Sequence, residues 1–347
     1  MDIIVLCGGL SNERDVSLSS GALVTKALRS LGHRAIAVDV FFGYQSDYSD
    51  PHEIFSSQDH TDFFPVGESA PDLEAVASQR TQKNPSRIGE NIIEICRAAD
   101  IVFMALHGED GENGKLQALF DIEGIHYTGS GYLGSAVAMN KVLAKTILQA
   151  AGIRVPDGIK VQRGEEIPSF PGYPCVVKPC SGGSSVGVSI VTTHSEYMTA
   201  LDLAFRYESC VLVEQYIKGR ELTVGVFAGK AMPVIEIIPK VGFYDYKNKY
   251  QAGLTEEICP APIGDRATLR IQALAEAVHR TLMLEVYCRV DFLMDNEGEF
   301  WCLEANTLPG MTPTSLIPQM AAAQGIGYAD FCQMVVMESL KKYEAAK

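Results

Sequence analysis

A chain of 347 residues, 47% hydrophobic and 21% charged, has the make-up of an ordinary globular protein, long enough for two or three cores. Its formal net charge of −14 argues against a nucleic-acid surface, which gathers Lys and Arg, although a few local cations and backbone amides can still hold an anion. The nine cysteines are odd in number and form no CxxC pair, so zinc ribbons and thioredoxin-like chemistry have no support.

Most of these cysteines stand among apolar residues, as free thiols do in a reducing compartment. The opening run Ile3 to Leu6 is too short for a signal peptide, and no apolar stretch approaches a membrane span. A cytoplasmic protein without a nucleic-acid or membrane partner is expected.

In chain order, Ile3 to Leu6 reads as a strand broken by Gly8-Gly9. Leu23, Ala27, Leu28 and Leu31 then recur at helical spacing up to Gly32. Ala35 to Val38 and Ile101 to Leu106 read as further strands, and this alternation predicts an α/β fold with a parallel sheet. Between about Phe42 and Arg87 the pattern fails, which predicts a long excursion with only local structure. A second segment starts near Gly129-Ser130-Gly131, where Leu133, Val137, Val142 and Leu143 predict one helix. Pro174 to Pro179 and Val186 to Val191 predict two strands joined by a Gly/Ser hairpin with a mobile tip. A third segment begins around Val211 to Glu214 and continues through Leu222 to Phe227. It ends in strands Arg289 to Met294 and Glu299 to Leu303, flanking the hairpin turn Asp295-Asn296-Glu297-Gly298.

Four constellations carry chemistry. Strand alternation puts Arg289 and Asp291 on one face and Glu304 and Asn306 on one face of the neighbouring strand. Two carboxylates and an amide beside a guanidinium suit Mg²⁺ bridging nucleotide phosphates, the alternative being a surface charge cluster. Lys178 precedes Cys180-Ser181-Gly182-Gly183-Ser184-Ser185, a tip small enough for amides and hydroxyls to wrap phosphate, or else a plain flexible turn. Gly8-Gly9-Leu10-Ser11-Asn12-Glu13 opens a helix, and Glu13 either pairs with an ammonium group or belongs to an acidic helix start. His107 ends a strand at the usual ligand edge of an α/β sheet, with glycines leaving its side approachable. The acidic run Glu109-Asp110-Gly111-Glu112 after it does not have the spacing of an EF-hand.

Taken together, GGLSNERDVSLSSG, HGEDGENGKLQ, KPCSGGSSVGV, FYDYKNKY and RVDF…EANTLPGMTPTSLIP resemble the D-alanine–D-alanine ligases of the ATP-grasp superfamily, in the order found there. The resemblance spans nearly the whole chain except the excursion after Phe42. It implies an α/β ATP-grasp fold: an N-terminal parallel-sheet, pre-ATP-grasp domain over 1–129, then two α+β domains over 130–212 and 213–347 that clasp ATP.

The resemblance further implies roles. Glu13 would hold the ammonium of the first D-alanine, with Ser184 and Tyr250 completing a hydrogen-bonded triad. Lys141, Lys178 and Ser185 would meet ATP phosphates, and Lys249 would reach the γ-phosphate. Glu214, Tyr216 and Ile217 would read adenine, and Glu221 the ribose. Asp291, Glu304 and Asn306 would hold two Mg²⁺, with Mn²⁺ as a substitute. Arg289 and the Gly310 N–H would stabilise the oxyanion, while His107, Ser315 and Leu316 would line the substrate site. The residues 242–255 would form a lid.

The implied reaction joins two D-alanines through a D-alanyl-phosphate, for peptidoglycan precursors, in a homodimer. Asn113 stands where the family commonly has Asp, and Cys180-Ser181-Gly182 falls where it varies. The alternatives are a sister D-alanine–D-serine ligase, or a catalytically silent nucleotide-binding regulator on the same fold.

Overall fold

The computed structural model describes residues 1–44, 48–56, 66–67, 70–81, 85–167, 172–240, 242 and 253–344. It opens with β1 (Asp2–Cys7), α1 (Arg14–Ser30) and β2 (Arg34–Asp39). A 3₁₀ turn at Pro51–Ser56 and α2 (Leu73–Ser78) are the regular pieces described within the expected excursion. Next come α3 (Ile92–Ala98), β3 (Ile101–Met104), α4 (Glu109–Glu112) and α5 (Lys115–Glu123). The strands form a parallel sheet in the order β2-β1-β3. Every residue of β1 is buried, which explains its continuous apolar run. The strand expected to reach Leu106 ends at Met104, and Ala105 and Leu106 remain buried as the chain turns into the His107 loop.

The helix expected across Leu133 to Leu143 is two: α6 (Tyr132–Met139) and α7 (Lys141–Ala150). Asn140 lies between them in extended backbone, and its side chain accepts from Leu143 N–H as the N-cap of α7. Periodicity ran through the break because Leu133 and Leu143, two of the residues that suggested it, are exposed. The next elements are β4 (Gly158–Gln162), β5 (Cys175–Pro179), β6 (Ser189–Val191), α8 (His194–Tyr207) and β7 (Cys210–Gln215). Their strands form an antiparallel sheet, β4-β7-β5-β6, with α8 across one face. β5 and β6 make the Gly/Ser hairpin, although β6 begins only at Ser189. β7 spans the division expected between 212 and 213 and pairs wholly within this sheet.

The remainder comprises β8 (Gly219–Phe227), β9 (Lys230–Pro239), β10 (Thr255–Ile258), α9 (Asp265–Thr281), β11 (Tyr287–Asp295), β12 (Phe300–Asn306), α10 (Leu316–Ala323) and α11 (Tyr328–Glu344). Its antiparallel sheet runs β10-β9-β8-β11-β12. One face packs under α9 together with α6 and α7, through Val137, Leu148, Ile271 and Phe292. The other carries α10 and α11, whose Met320, Phe331 and Val335 continue into the core of the parallel sheet.

α11 therefore fastens the end of the chain to its beginning. Phe331 is fully buried, with its ring 5.5 Å from that of Phe227. Phe331→Ala should cost about 3–5 kcal/mol through lost burial and a residual cavity. A melting temperature within a degree of the parent would show that α11 does not carry this load.

Candidate active site

Small polar groups shape the loop between β1 and α1. Gly8 N–H donates to Ser17 Oγ at 2.8 Å, and Ser17 Oγ donates to Ala105 O at 2.7 Å. Ser11 Oγ donates to His107 O at 2.6 Å, tying this loop to the one after β3. Arg14 pairs with Asp39 and donates to Gly9 O at 2.6 Å. Glu13 occupies the N-cap of α1 but makes no capping hydrogen bond. Its carboxylate instead accepts a hydrogen bond from Ser184 at the hairpin tip. A Cβ on Gly183 would lie 2.7 Å from Glu13 Oε2, so a side chain there would push the Glu13 carboxylate aside. The helix-start alternative for Glu13 thus gives way to a carboxylate turned into a cavity.

That cavity, about 450 Å³, is lined by Glu13, His107, Ser184, Arg289, Glu304, Asn306, Gly310, Ser315 and Leu316, all singled out from the sequence. His107 is less approachable than its glycines suggested. Its ring is buried, with Nδ1 2.8 Å from Leu308 O and Nε2 3.1 Å from Ser20 Oγ. Burial pulls its pKa down against the opposing pull of Glu13, so the neutral ring is favoured. Ser315 Oγ accepts from Thr312 N–H at 3.1 Å at the entry to α10.

On the paired strands, Asp291 faces Glu304 and Arg289 faces Asn306. Arg289 forks both Asp291 oxygens at 2.9 Å, Asn306 Nδ2 donates to Asp291 Oδ2 at 3.0 Å, and Thr223 Oγ1 donates to Oδ1 at 2.6 Å. The convergence read from strand alternation is real, and Asp291 is buried rather than on a charged surface. The donors are two carboxylates and an amide oxygen, a hard set of the kind Mg²⁺ takes. Among the described residues, no group of three or more His, Cys, Asp or Glu is gathered for a metal.

A second cavity, about 490 Å³, lies between the two antiparallel sheets. It is lined by Lys141, Lys178, Ser184, Ser185, Glu214, Tyr216, Ile217, Glu221, Asp291 and Glu304. Lys141 Nζ is 3.1 Å from Glu304 and donates to Gly182 O at 2.6 Å. Burial lowers the Lys141 pKa, but Glu304 more than offsets this and holds it above the usual value. The two cavities share Gly183, Ser184 and Glu304 as a common wall. Tyr250, Lys249 and most of the expected lid lie outside the described residues.

Four cavity residues carry no site signal in the sequence. Glu112 lines the first cavity, and burial, with Glu13 adding to it, pushes its pKa up to about 8. Within HGEDGENG nothing local separates it from Glu109 and Asp110. Glu257 lines the same cavity and accepts from Gln319, whose amide also donates to Thr314 O at 2.7 Å. Arg220 and Glu236 pair at 2.6 Å beside the second cavity. No motif in the sequence marked these last groups.

The family model described as D-ala D-ala ligase N-terminus matches residues 2–130, and that described as D-ala D-ala ligase C-terminus matches 147–337. The chain belongs to the D-alanine–D-alanine ligase family. It is 42% identical to a D-alanine–D-alanine ligase of Pediococcus pentosaceus, with 100% of both chains covered. It is 41% identical to that of Geobacter sulfurreducens, over 96% of this chain and 93% of the relative. Among solved structures, the D-alanine–D-alanine ligase of Bacillus anthracis complexed with ATP matches at a TM-score of 0.77 and 29% identity, covering 100% of both chains. A second structure of the Bacillus anthracis ligase matches at 0.79 and 32%, also over 100% of both. The fold of the family is the ATP-grasp, in keeping with one parallel and two antiparallel sheets here.

The raised pKa of Glu112 has a signed consequence in the ligand-free protein. Between the unfolded value, 4.5, and about 8, the folded state keeps a proton that the unfolded state releases. The contribution of Glu112 to stability is therefore full below the lower value and is lost as pH rises towards the upper. Glu112→Gln should gain stability over the parent progressively from about pH 5 to about pH 8 and level off above. Urea unfolding across that range checks it, and a difference independent of pH would contradict it.

Proposed function

We infer that this chain joins two D-alanines to D-alanyl-D-alanine at the expense of ATP, through a D-alanyl-phosphate. The observation that carries this is the shared wall of the two cavities. Gly183, Ser184 and Glu304 separate a lysine-bearing cavity from one holding Glu13 and Arg289, where a phosphoryl group can pass from one ligand to the other.

On this reading Glu13, aligned by Ser184, holds the ammonium of the first D-alanine. One oxygen of that D-alanine's own carboxylate attacks the γ-phosphorus of ATP, and ADP departs. Lys141 and Lys178 neutralise phosphate charge, Ser185 bonds a phosphate oxygen, and Lys249 approaches from the lid. Glu214, Tyr216 and Ile217 face the base, and Glu221 the ribose. Asp291, Glu304 and Asn306 would hold two Mg²⁺, which spread the charge of the transferring group. The amine of the second D-alanine then attacks the acyl carbonyl, and phosphate leaves. Arg289 and the Gly310 N–H receive the oxyanion, while His107, Ser315 and Leu316 wall the site. Tyr250 favours an amine nucleophile over the hydroxyl of D-lactate. Because acyl-phosphates hydrolyse, the 242–255 lid must exclude water.

The product is a peptidoglycan precursor, and cysteine usage supports a cytoplasmic setting; no described helix is long and apolar enough to cross a membrane. A homodimer is expected and is open to light scattering. We read a substrate-binding unit over 1–129 and two clasping units after it, and the pairing of β7 favours dividing those after Gln215 rather than at 212/213.

The deciding assay is ADP release and product analysis with D-alanine alone and with D-serine, D-lactate or L-alanine added. D-Alanyl-D-alanine should dominate at neutral pH, and a depsipeptide or D-alanyl-D-serine as main product would overturn the substrate assignment. Asp291→Asn and Glu304→Gln should each lower turnover by on the order of 100-fold or more, with melting within a few degrees of the parent. Near-parental turnover across a Mg²⁺ titration would return this cluster to a structural role.

A further inference from the structure

Helix α7 carries two lysines one turn apart with different surroundings. Lys141 lines the nucleotide cavity, whereas Lys145 lies outside its lining, 6% exposed. The Lys145 ammonium pairs with Oε1 of Glu214, and Lys178 Nζ stands 2.6 Å from Oε2. Glu214 is 2% exposed and lines the cavity from β7. A carboxylate so buried takes up a proton unless cations hold it ionised. Burial does push Glu214 up, and Lys145 and Lys178 more than offset this. Lys178 also lines the cavity, where bound phosphate would compete for its charge. Lys145 has no such second claim from the cavity.

We propose that Lys145 is a positioning residue for the nucleotide base, keeping the Glu214 carboxylate ionised and aimed so that it accepts from an exocyclic amine. This rests on the reading that Glu214 faces the base. Adenine presents an amine donor at its six-position, where guanine presents an oxygen that a carboxylate repels. Lys145 thereby sets the preference for ATP over GTP without touching either.

The groups facing Lys145 are Glu214 from β7, Lys178 from β5 and the Cys302 thiol of β12. Burial lowers the lysine to about 8 against the pull of Glu214, while burial pushes Cys302 up to about 12 and keeps it neutral. As pH rises through about 8, Lys145 loses its charge and Glu214 is left to Lys178.

The test measures ADP release at saturating D-alanine with ATP or GTP for the parent, Lys145→Met, Lys145→Arg and Glu214→Gln. Lys145→Met should raise KM for ATP about tenfold, leave kcat within about threefold, and narrow the ATP:GTP ratio of kcat/KM about tenfold. Lys145→Arg should restore both and move the alkaline rise in KM for ATP to higher pH. An unchanged ratio in Lys145→Met, or a fall in kcat at constant KM, overturns the proposal. If Glu214→Gln leaves the ratio intact, the base-reading role of Glu214 fails. If it narrows the ratio and Lys145→Met does not, that role stands and the positioning role fails. Should Lys145→Met not fold, the pH profile of Lys145→Arg decides, and an unmoved profile counts against the proposal.

Discussion

The hydrogen bond from Ser184 to Glu13 joins residues 171 apart in sequence, and the arrangement of both cavities depends on it. It brings the tip of a hairpin from the second sheet against the first turn of the first helix. The backbone there is under local strain: Ser184 and Ser185 hold φ of +48° and +59°, a region that side chains rarely adopt. A Cβ on Gly183, or on Gly108 with its φ of +68°, would meet the same Glu13 oxygen and displace the carboxylate. Such a contact closes the wall between the two cavities with small groups, leaving space on either side for ligands.

In a protein with a net charge of −14, three lysines are placed by the fold opposite carboxylates at or beside the second cavity. Lys141 and Lys145 come from one face of α7 and Lys178 from the end of β5, and each stands opposite a carboxylate. Buried ion pairs of this kind contribute little net stability, because desolvation consumes most of their attraction. Their effect is geometric, since each lysine fixes a carboxylate that lines the second cavity. Asn140 matters for the same reason: by ending α6 and capping α7 it sets the direction in which both lysines project.

Much of this was legible in the sequence where burial and chemistry coincide. The all-apolar β1, the Gly/Ser hairpin and the Asp291–Glu304 pair all left local signatures, because strand alternation and turn residues report backbone geometry directly. The break at Asn140 did not, since exposed Leu133 and Leu143 mimicked a continuous apolar stripe. Helix α11 and Lys145 were illegible for a different reason. Periodicity shows that a face is covered but not by what, and a lysine four residues after another looks like any solvated pair. Only the three-dimensional register, which puts Glu214 beside α7, distinguishes them. Tyr250 and Lys249 were nameable by resemblance but lie outside the described residues, so their contribution rests on family likeness.

The substrate cavity carries one further constraint, in its charge. Glu13, Glu112, Glu257 and Glu304 line it against the single guanidinium of Arg289 among the lining residues. Burial pushes the Glu112 carboxyl up, and the neighbouring charge of Glu13 adds to this, so Glu112 favours its proton. A ligand that brings an ammonium relieves this crowding, while one that brings only a carboxylate and a hydroxyl aggravates it. Arg289 is already forked onto Asp291, so a carboxylate entering alone must compete for that guanidinium. On the proposed reading, zwitterions are therefore the natural guests, and discrimination against hydroxy acids begins in the electrostatics of the empty cavity.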